Sequence, residues 1–262
     1  MDETEELIRL CCRALVVQMC DVPGFELHMT RSCVMGLTGE PSADFNMITL
    51  GADPEAEAFL IRSMARARER GLPLHAAMSP NVVEALAPIA ARLGLTRAGA
   101  SPLMVLRPGI LHRGTSVQPG RAVKVTRALG PELVGVAGDL VAAAFDTPRD
   151  VIARCIDVCV TATSGIETWI AWSDEGPMSA VSVTPSGNTA GVTLMATPPA
   201  LQRQGWGRAL LTRVIEDYRG RGVERFYLGA TEAGLALYTS LGFETIAHLS
   251  AWVMGDSSPA PA

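Results

Sequence analysis

The chain has 262 residues, 48% of them hydrophobic and 19% charged, with a formal net charge of -5. This composition excludes a disordered chain, which could not bury enough apolar surface to fold, and the acidic balance argues against nucleic acid as a partner. The opening MDETEELIRL is acidic where a secretory leader is basic, and the best apolar run, 134–145, is short and broken by Asp139, so the expectation is a cytoplasmic protein without a membrane partner.

In chain order, apolar periodicity predicts a helix over 3–19, strand-like stretches near 25–37 and 44–50, and a helix over 54–70. A strand LPLHAAM, a helix NVVEALAPIAARLG and a strand SPLMVLR complete the first half. Residues 107–120, RPGILHRGTSVQPG, are rich in Gly and Pro, have neither period and read as a linker. The second half opens with a strand over 121–129 and a helix over 131–145. TPRDVIARCIDVCV predicts a further helix, with Thr147 as N-cap and Pro148 in the first turn. Residues 167–197 alternate in period two and are broken by DEG and PSGN, which predicts three antiparallel strands. A helix to about Arg219, a strand RFYLGA, a short helix EAGLALYTSLG and a last strand TIAHLSAWVM follow. Residues 256–262 read as a disordered tail. This order indicates an α/β fold, a mixed sheet with helices on its faces.

The two halves repeat one plan. RERGLPLHAAM parallels RGRGVERFYLGA, and PIAARLGL parallels ALYTSLGF, with Leu93-Gly94 over Leu241-Gly242. A period of about 150 residues is a tandem duplication, not a solenoid, and it divides the chain into domains at 1–115 and 120–255. The six cysteines form no C-x-x-C pair and stand without a histidine nearby, so buried thiols are expected and no metal is.

The stretch QRQGWGRALL, 202–211, places Gly205 and Gly207 where an amphipathic helix begins. Inside a helix each glycine costs about 1 kcal/mol relative to Ala. A helix start carries outward-pointing N–H groups and a partial positive charge, which suits an anion such as a phosphate, and glycine lets that anion approach the backbone without meeting a Cβ. Close packing at the turn after TPPALQ would explain the pair equally well. A Walker loop is excluded because no G-K-[ST] follows, and Leu210 replaces the third glycine of a dinucleotide fingerprint.

The strand GVTLMAT, the Pro-Pro turn, Q-x-x-G-x-G and the helix RALLTRVIEDY together resemble the acetyl-CoA motif of the GNAT (Gcn5-related) N-acetyltransferases. ATEAGLALYTSLGFE resembles the strand-helix-strand segment that follows it in that family. The resemblance covers about 190–245, and the strand order fits over 121–254. It implies two GNAT-like domains in tandem and acetyl-CoA as cosubstrate. Met195, Ala196 and Thr197 would pair with the pantetheine arm, and the loop Arg203, Gln204, Gly205, Trp206, Gly207 and Arg208 would cradle the pyrophosphate. Thr231 stands where many members carry an Asn that touches pantetheine. Tyr238 falls at the position of the family's general-acid tyrosine.

The implied reaction is transfer of acetyl to an amine acceptor, read as a small molecule, by direct attack on the thioester. A homodimer is compatible with it. A non-catalytic acyl-CoA sensor or interaction module is the alternative, because AGVTLMAT lacks the carboxylate that many members carry there. Glu167, Asp146, Glu232 and His248 are the candidate bases, with Glu167 chosen. Aligned by sequence, PEAEAFLIRSM of the first half falls on QRQGWGRALLT, which sets Glu57 and Phe59 in place of the glycines and Ala90 opposite Tyr238. The first copy is therefore expected to be degenerate and to lack the CoA loop.

Overall fold

The computed structural model describes residues 2–112, 123–161 and 165–254. Its elements in chain order are α1 (Glu3–Met19), β1 (Glu26–Met29), β2 (Cys33–Leu37), β3 (Asn46–Leu50), α2 (Ala56–Glu69), β4 (Leu74–Met78), α3 (Pro80–Arg92) and β5 (Thr96–Leu106). Then come β6 (Lys124–Arg127), α4 (Gly130–Phe145), α5 (Arg149–Ile152), α6 (Val158–Thr161), β7 (Glu167–Ser173), β8 (Gly176–Ser186) and β9 (Thr189–Ala196). The chain continues through α7 (Trp206–Gly220), β10 (Arg225–Gly229), α8 (Glu232–Leu241) and β11 (Glu244–Met254). Most of the linker expected over 107–120 and all of the tail expected over 256–262 lie outside the described residues.

Two expectations need correction. The helix over 147–160 is not one α-helix, because a π-helical stretch, Ala153–Asp157, separates α5 from α6. Thr147 does not cap it. The N-cap position is Pro148, and the Thr147 hydroxyl turns back to donate to the Phe145 carbonyl at 3.3 Å.

The chain forms two compact units, each discontinuous in sequence. The first takes the described residues of 1–103, 229–233 and 245–262, and the second those of 104–228 and 234–244. The last strand, β11, thus packs in the first unit, where Trp252 pairs with Ala76 of β4 and is buried among Met35, Ile48, Leu60 and Met64.

In the first unit the strands lie in the order β1-β2-β3-β4-β11, followed by the 96–103 part of β5. β1, β2 and β3 are antiparallel neighbours, and β3 runs parallel to β4. The apolar stripe of α2, Phe59, Leu60, Met64 and Ala67, is buried, as its 3.6-residue period requires. Glu5 of α1 is only 5% exposed, and its carboxylate accepts from Ala52 N at 2.7 Å, Ser79 Oγ at 2.6 Å and Asn81 Nδ2 at 2.9 Å. Burial of a carboxylate is tolerable only with partners of this number.

In the second unit the order is β10-β9-β8-β7-β6, with β9 and β10 parallel and the other pairs antiparallel. Val134, Ala137 and Leu140 of α4 pack on Ile170 and Ala180. Leu210, Leu211, Val214, Ile215 and Tyr218 form the buried stripe of α7. Trp169, Tyr218 and Phe226 meet edge to face, with centroids 6.4 Å apart in each pair, the arrangement that the ring quadrupole favours.

Candidate active site

The second unit contains a fork between two parallel strands. The β9–β10 ladder covers Thr189–Gly191 against Arg225–Tyr227, after which β9 runs on to Ala196 and β10 to Gly229. At the last paired residue there is no room for a side chain, since a Cβ on Gly191 would lie 2.9 Å from the Tyr227 ring. Beyond it β9 carries one extra residue relative to β8, because Ser182 faces Thr193 while Ala180 faces Ala196. Leu194, inside this bulge, takes a φ of +49°. Such a backbone is unusual for a non-glycine residue, and a bulge re-aims the strand beyond it.

Met195, Ala196 and Thr197 therefore lie beyond the β10 ladder at the mouth of the fork, with Ala196 still paired with Ala180 of β8, and two hydroxyls fix them there. The buried Ser179 Oγ lies 2.8 Å from the Ala196 carbonyl, to which it donates, and 2.8 Å from Thr197 Oγ1. The following turn is bound to the same place. Gln202 Nε2 donates to the Thr197 carbonyl at 3.1 Å, and Gln204 Nε2 to the Ala200 carbonyl at 3.1 Å. No apolar pattern marked Ser179 in the sequence, and only its partner's position on β9 identifies its role.

The glycines do different work. Gly205 is the N-cap of α7 with a φ of +89°, a conformation that costs glycine nothing. Gly207 lies inside the first turn, where a Cβ would come within 3.0 Å of Met195 Cε and 3.3 Å of Thr197 Oγ1. Its bare backbone thus faces the end of β9. The first backbone bond of the helix runs from Ala209 N to the Gly205 carbonyl at 2.9 Å, so helix geometry gives the Gly207 and Arg208 amides no intrahelical acceptor. Trp206 is 1% exposed, packs with Met178, Leu201 and Ala209 beneath the loop, and donates from Nε1 to Gln204 Oε1 at 3.3 Å.

Of the loop arginines, only Arg203 keeps a guanidinium without a partner among the described residues, on a backbone with φ of +62°. The Arg208 guanidinium is committed to the chain itself, clasping Ser240 and the His112 carbonyl. Tyr238 of α8 is 7% exposed and meets Phe243 edge to face at 5.8 Å. Burial pushes its pKa up to about 12, so the phenol is protonated at neutral pH and can donate a hydrogen bond.

The structure does not bring Glu167 to this site. It opens β7 beside the C-terminal end of α7, and Tyr218, its partner, is 12 residues or about 18 Å along the helix from Trp206. There Glu167 accepts from Tyr218 Oη at 2.8 Å and from both Arg221 nitrogens, at 3.0 and 2.9 Å, with Arg127 at 3.4 Å. Burial alone would raise its pKa, but the bonds from Arg221 and Tyr218 outweigh burial and hold it low. A carboxylate so placed anchors the helix and is a poor proton acceptor. Thr231, Glu232 and His248 belong to the first unit, and Asp146 is the exposed C-cap of α4 with φ of +49°.

The first unit has the same elements around β3 and β4 but no fork. The β3–β4 ladder reaches Leu50 and Met78, the last residues of both strands, and Ser79 N extends it with a 2.8 Å bond to the Leu50 carbonyl. The comparison made by sequence is corrected by the closing bonds of the helices. Leu72 N donates to the Ala67 carbonyl as Val223 N does to that of Tyr218. Counted back from these bonds, Pro54 falls at the place of Gly205 and Ala56 at that of Gly207, whereas matching the helix N-caps sets Glu55 and Glu57 there; neither register gives Glu57 and Phe59. For α3 and α8 the expected register stands, since Leu95 N closes on Ala90 as Phe243 N closes on Tyr238.

Among the described residues no helix is long and apolar enough to cross a membrane. Of the cysteines, Cys12, Cys33, Cys155 and Cys159 are buried, whereas Cys20 is exposed.

Comparison with known proteins bears on the same region. Residues 164–245 match the family model described as Acetyltransferase (GNAT) domain. The chain is 46% identical over 52 residues to the [Ribosomal protein bS18]-alanine N-acetyltransferase of Escherichia coli (strain K12), an alignment covering 19% of this chain and 35% of that protein. It thus spans about a third of the length of the curated relatives it matches. Among solved structures, a GCN5-related N-acetyltransferase from Kribbella flavida aligns over 98% of this chain and 97% of its own, at 15% identity and a TM-score of 0.71. A tandem GNAT protein from the clavulanic acid biosynthesis pathway aligns over 90% of this chain and 85% of its own, at 16% identity and a TM-score of 0.57. These structural matches establish the fold.

Proposed function

From the premise that residues 164–245 form a GNAT acetyltransferase domain, we propose that the protein transfers acetyl from acetyl-CoA to an amine, with a small molecule as acceptor. The observation that carries the reading is the fork between β9 and β10 facing a glycine-capped helix start. The edge of β9 that the β10 ladder leaves at Met195–Thr197 would pair with the pantetheine arm as an added strand does. The Gly207 and Arg208 amides, with the Arg203 guanidinium, would hold the pyrophosphate through charge-assisted bonds.

In the reaction the amine attacks the thioester carbonyl, an amide near Ala196 donates to the oxyanion, and the C–S bond breaks to release the CoA thiolate. Tyr238 donates a hydrogen bond to that thiolate. With a pKa of about 12, against a thiol near 8.5, it does not give up its proton in full. An alkylammonium near 10.4 is only about 0.04% neutral at pH 7, so the acceptor's proton leaves through water. We assign Glu167 no part in this step. The absence of a carboxylate on β9, TAGVTLMA, favours a second reading, an acyl-CoA sensor without catalysis. Tandem copies, with the first lacking the CoA loop, are part of the same proposal.

The test is thiol release from acetyl-CoA with a panel of small amines and with a peptide bearing an N-terminal alanine. Acceptor-dependent release that is faster with small amines supports the proposal. Preference for the peptide makes the protein a protein acetyltransferase, and acetyl-CoA binding without release leaves the sensor.

A further inference from the structure

The first unit contains a groove of about 960 Å³ that the proposed reaction does not use. It runs along α2 above the edge strand β1. Met35 and Phe59 contribute apolar floor, α2 contributes Arg62, Ser63 and Arg66, and the segment after β1 contributes Met29, Thr30 and Arg31. That volume is at the upper end of the range for sites that enclose a small organic ligand.

The polar groups around it are not equally committed. Glu26 is taken up by Arg66 at 2.7 Å, Arg70 at 3.4 Å and His28 at 3.0 Å. Asp53 accepts from Thr30 Oγ1 at 2.7 Å, Ser32 N at 3.3 Å and Glu55 N at 2.9 Å. Glu26 and Asp53 are thus occupied by the protein, and the third acid of the groove, Glu55, has Arg62 as its ion-pair partner. The cations are less so. The Arg31 guanidinium has no partner among the described residues, and Arg62 reaches Glu55 only at 3.4 Å in an exposed pair. A pair of that kind contributes little and is easily exchanged.

Ser63 is the second, independent sign. It sits in the buried stripe of α2 between Leu60 and Met64, is 3% exposed, and has no hydrogen-bond partner among the described residues although it lines the groove. Its hydroxyl is not sealed in the core but opens on the groove, so it places one hydrogen-bonding group in an otherwise apolar floor, where a bound molecule can use it.

We propose that this groove binds an organic anion, a carboxylate or phosphate head on an apolar body. The head would be held by Arg31 and Arg62, the body would lie on Phe59, Met35 and Met29, and a polar atom along it would bond to Ser63. The proposal does not rest on acetyl transfer and stands whether or not that activity is found.

The probes are decanoate and decyl phosphate, with decanol and decylammonium as controls, titrated calorimetrically into the full chain. Saturable binding of either anion, weakened about tenfold or more by Arg31→Glu and by Ser63→Leu, is expected, with decanol and decylammonium weaker than both. The preferred anion tells a carboxylate from a phosphate ligand. Circular dichroism checks that the variants fold, and Ser63→Ala, which leaves the core volume nearly unchanged, replaces Ser63→Leu if the latter does not. Binding of decylammonium or decanol as tight as that of the anions, variants that bind like the native protein, or no saturable binding at millimolar anion would each overturn the proposal.

Discussion

In the first unit β3 and β4 stay paired to their last residues, and the Glu5 carboxylate accepts from the Ala52 amide just past the end of β3. In the second unit β9 and β10 separate after Gly191 and Tyr227, and the end of β9 is held by Ser179 from β8 instead. The same arrangement of strand, turn and helix therefore ends in two ways. One copy satisfies its strand-end amide with its own carboxylate. The other leaves a bulged strand end facing the start of a helix whose first turn has no Cβ at Gly207. The comparison teaches that the two units differ in whether the parallel strand pair stays closed to its end, and the proposed acyl-CoA site lies in the unit where it opens.

Both units do share one device. Glu26, the first residue of β1, binds Arg66 and Arg70 near the end of α2, and Glu167, the first residue of β7, binds Arg221 and Tyr218 near the end of α7. Because it recurs in the sealed copy, this device belongs to the architecture.

The largest effect that would break the comparison is expected at the fork itself. Gly207→Val should abolish the stabilisation of the protein by acetyl-CoA, which for the native protein at about 100 times the dissociation constant amounts to about 2.7 kcal/mol; thermal unfolding with and without ligand measures it. Glu5→Ala should lower global stability by about 3 kcal/mol, because it leaves Ala52 N, Ser79 Oγ and Asn81 Nδ2 without their acceptor, while acetyl-CoA binding at the β9–β10 fork persists. Urea titration gives the first quantity and calorimetry the second. Tyr238→Phe should reduce kcat by roughly 10-fold to 100-fold, as loss of one hydrogen bond to a developing charge does, with the dissociation constant of acetyl-CoA unchanged. An unaltered kcat would remove Tyr238 from the chemistry.

Glu167→Gln should cost about 1.5–3 kcal/mol of stability, the range for bonds to charged partners, and leave acetyl-CoA binding intact. A selective loss of kcat with normal stability would instead restore Glu167 as a base. The smallest effect concerns pH. The Glu26 and Glu167 pKa values are lowered in the fold, so the stability they contribute is present above the unfolded carboxylate value near 4.3 and is lost as pH falls through the folded values. Replacing both with Gln should flatten the acid side of the stability profile between about pH 5 and 2.

Much of this was legible in the sequence. The period of α7, the turns DEG and PSGN and the aligned Leu-Gly ends of α3 and α8 were sufficient for the α/β plan and for the repeat. What escaped had physical reasons. The first half of β5, Thr96–Ala100, is exposed throughout, so it shows no apolar alternation and the predicted strand began late. The register of α2 against α7 depends on which residue closes each helix, and local similarity of letters misjudged it. The role of Glu167 was hidden because its partners Tyr218 and Arg221 lie more than fifty positions away. Nothing in β11 marks it as a strand of the first unit, since its apolar pattern suits either core.

The most direct test of the central claim is amide hydrogen exchange with and without acetyl-CoA, read by peptide. The account predicts protection confined to the end of β9 and the loop into α7, about 193–208, with none at 50–58, the sealed counterpart. Protection at 50–58, or no protection anywhere at millimolar acetyl-CoA, would contradict it.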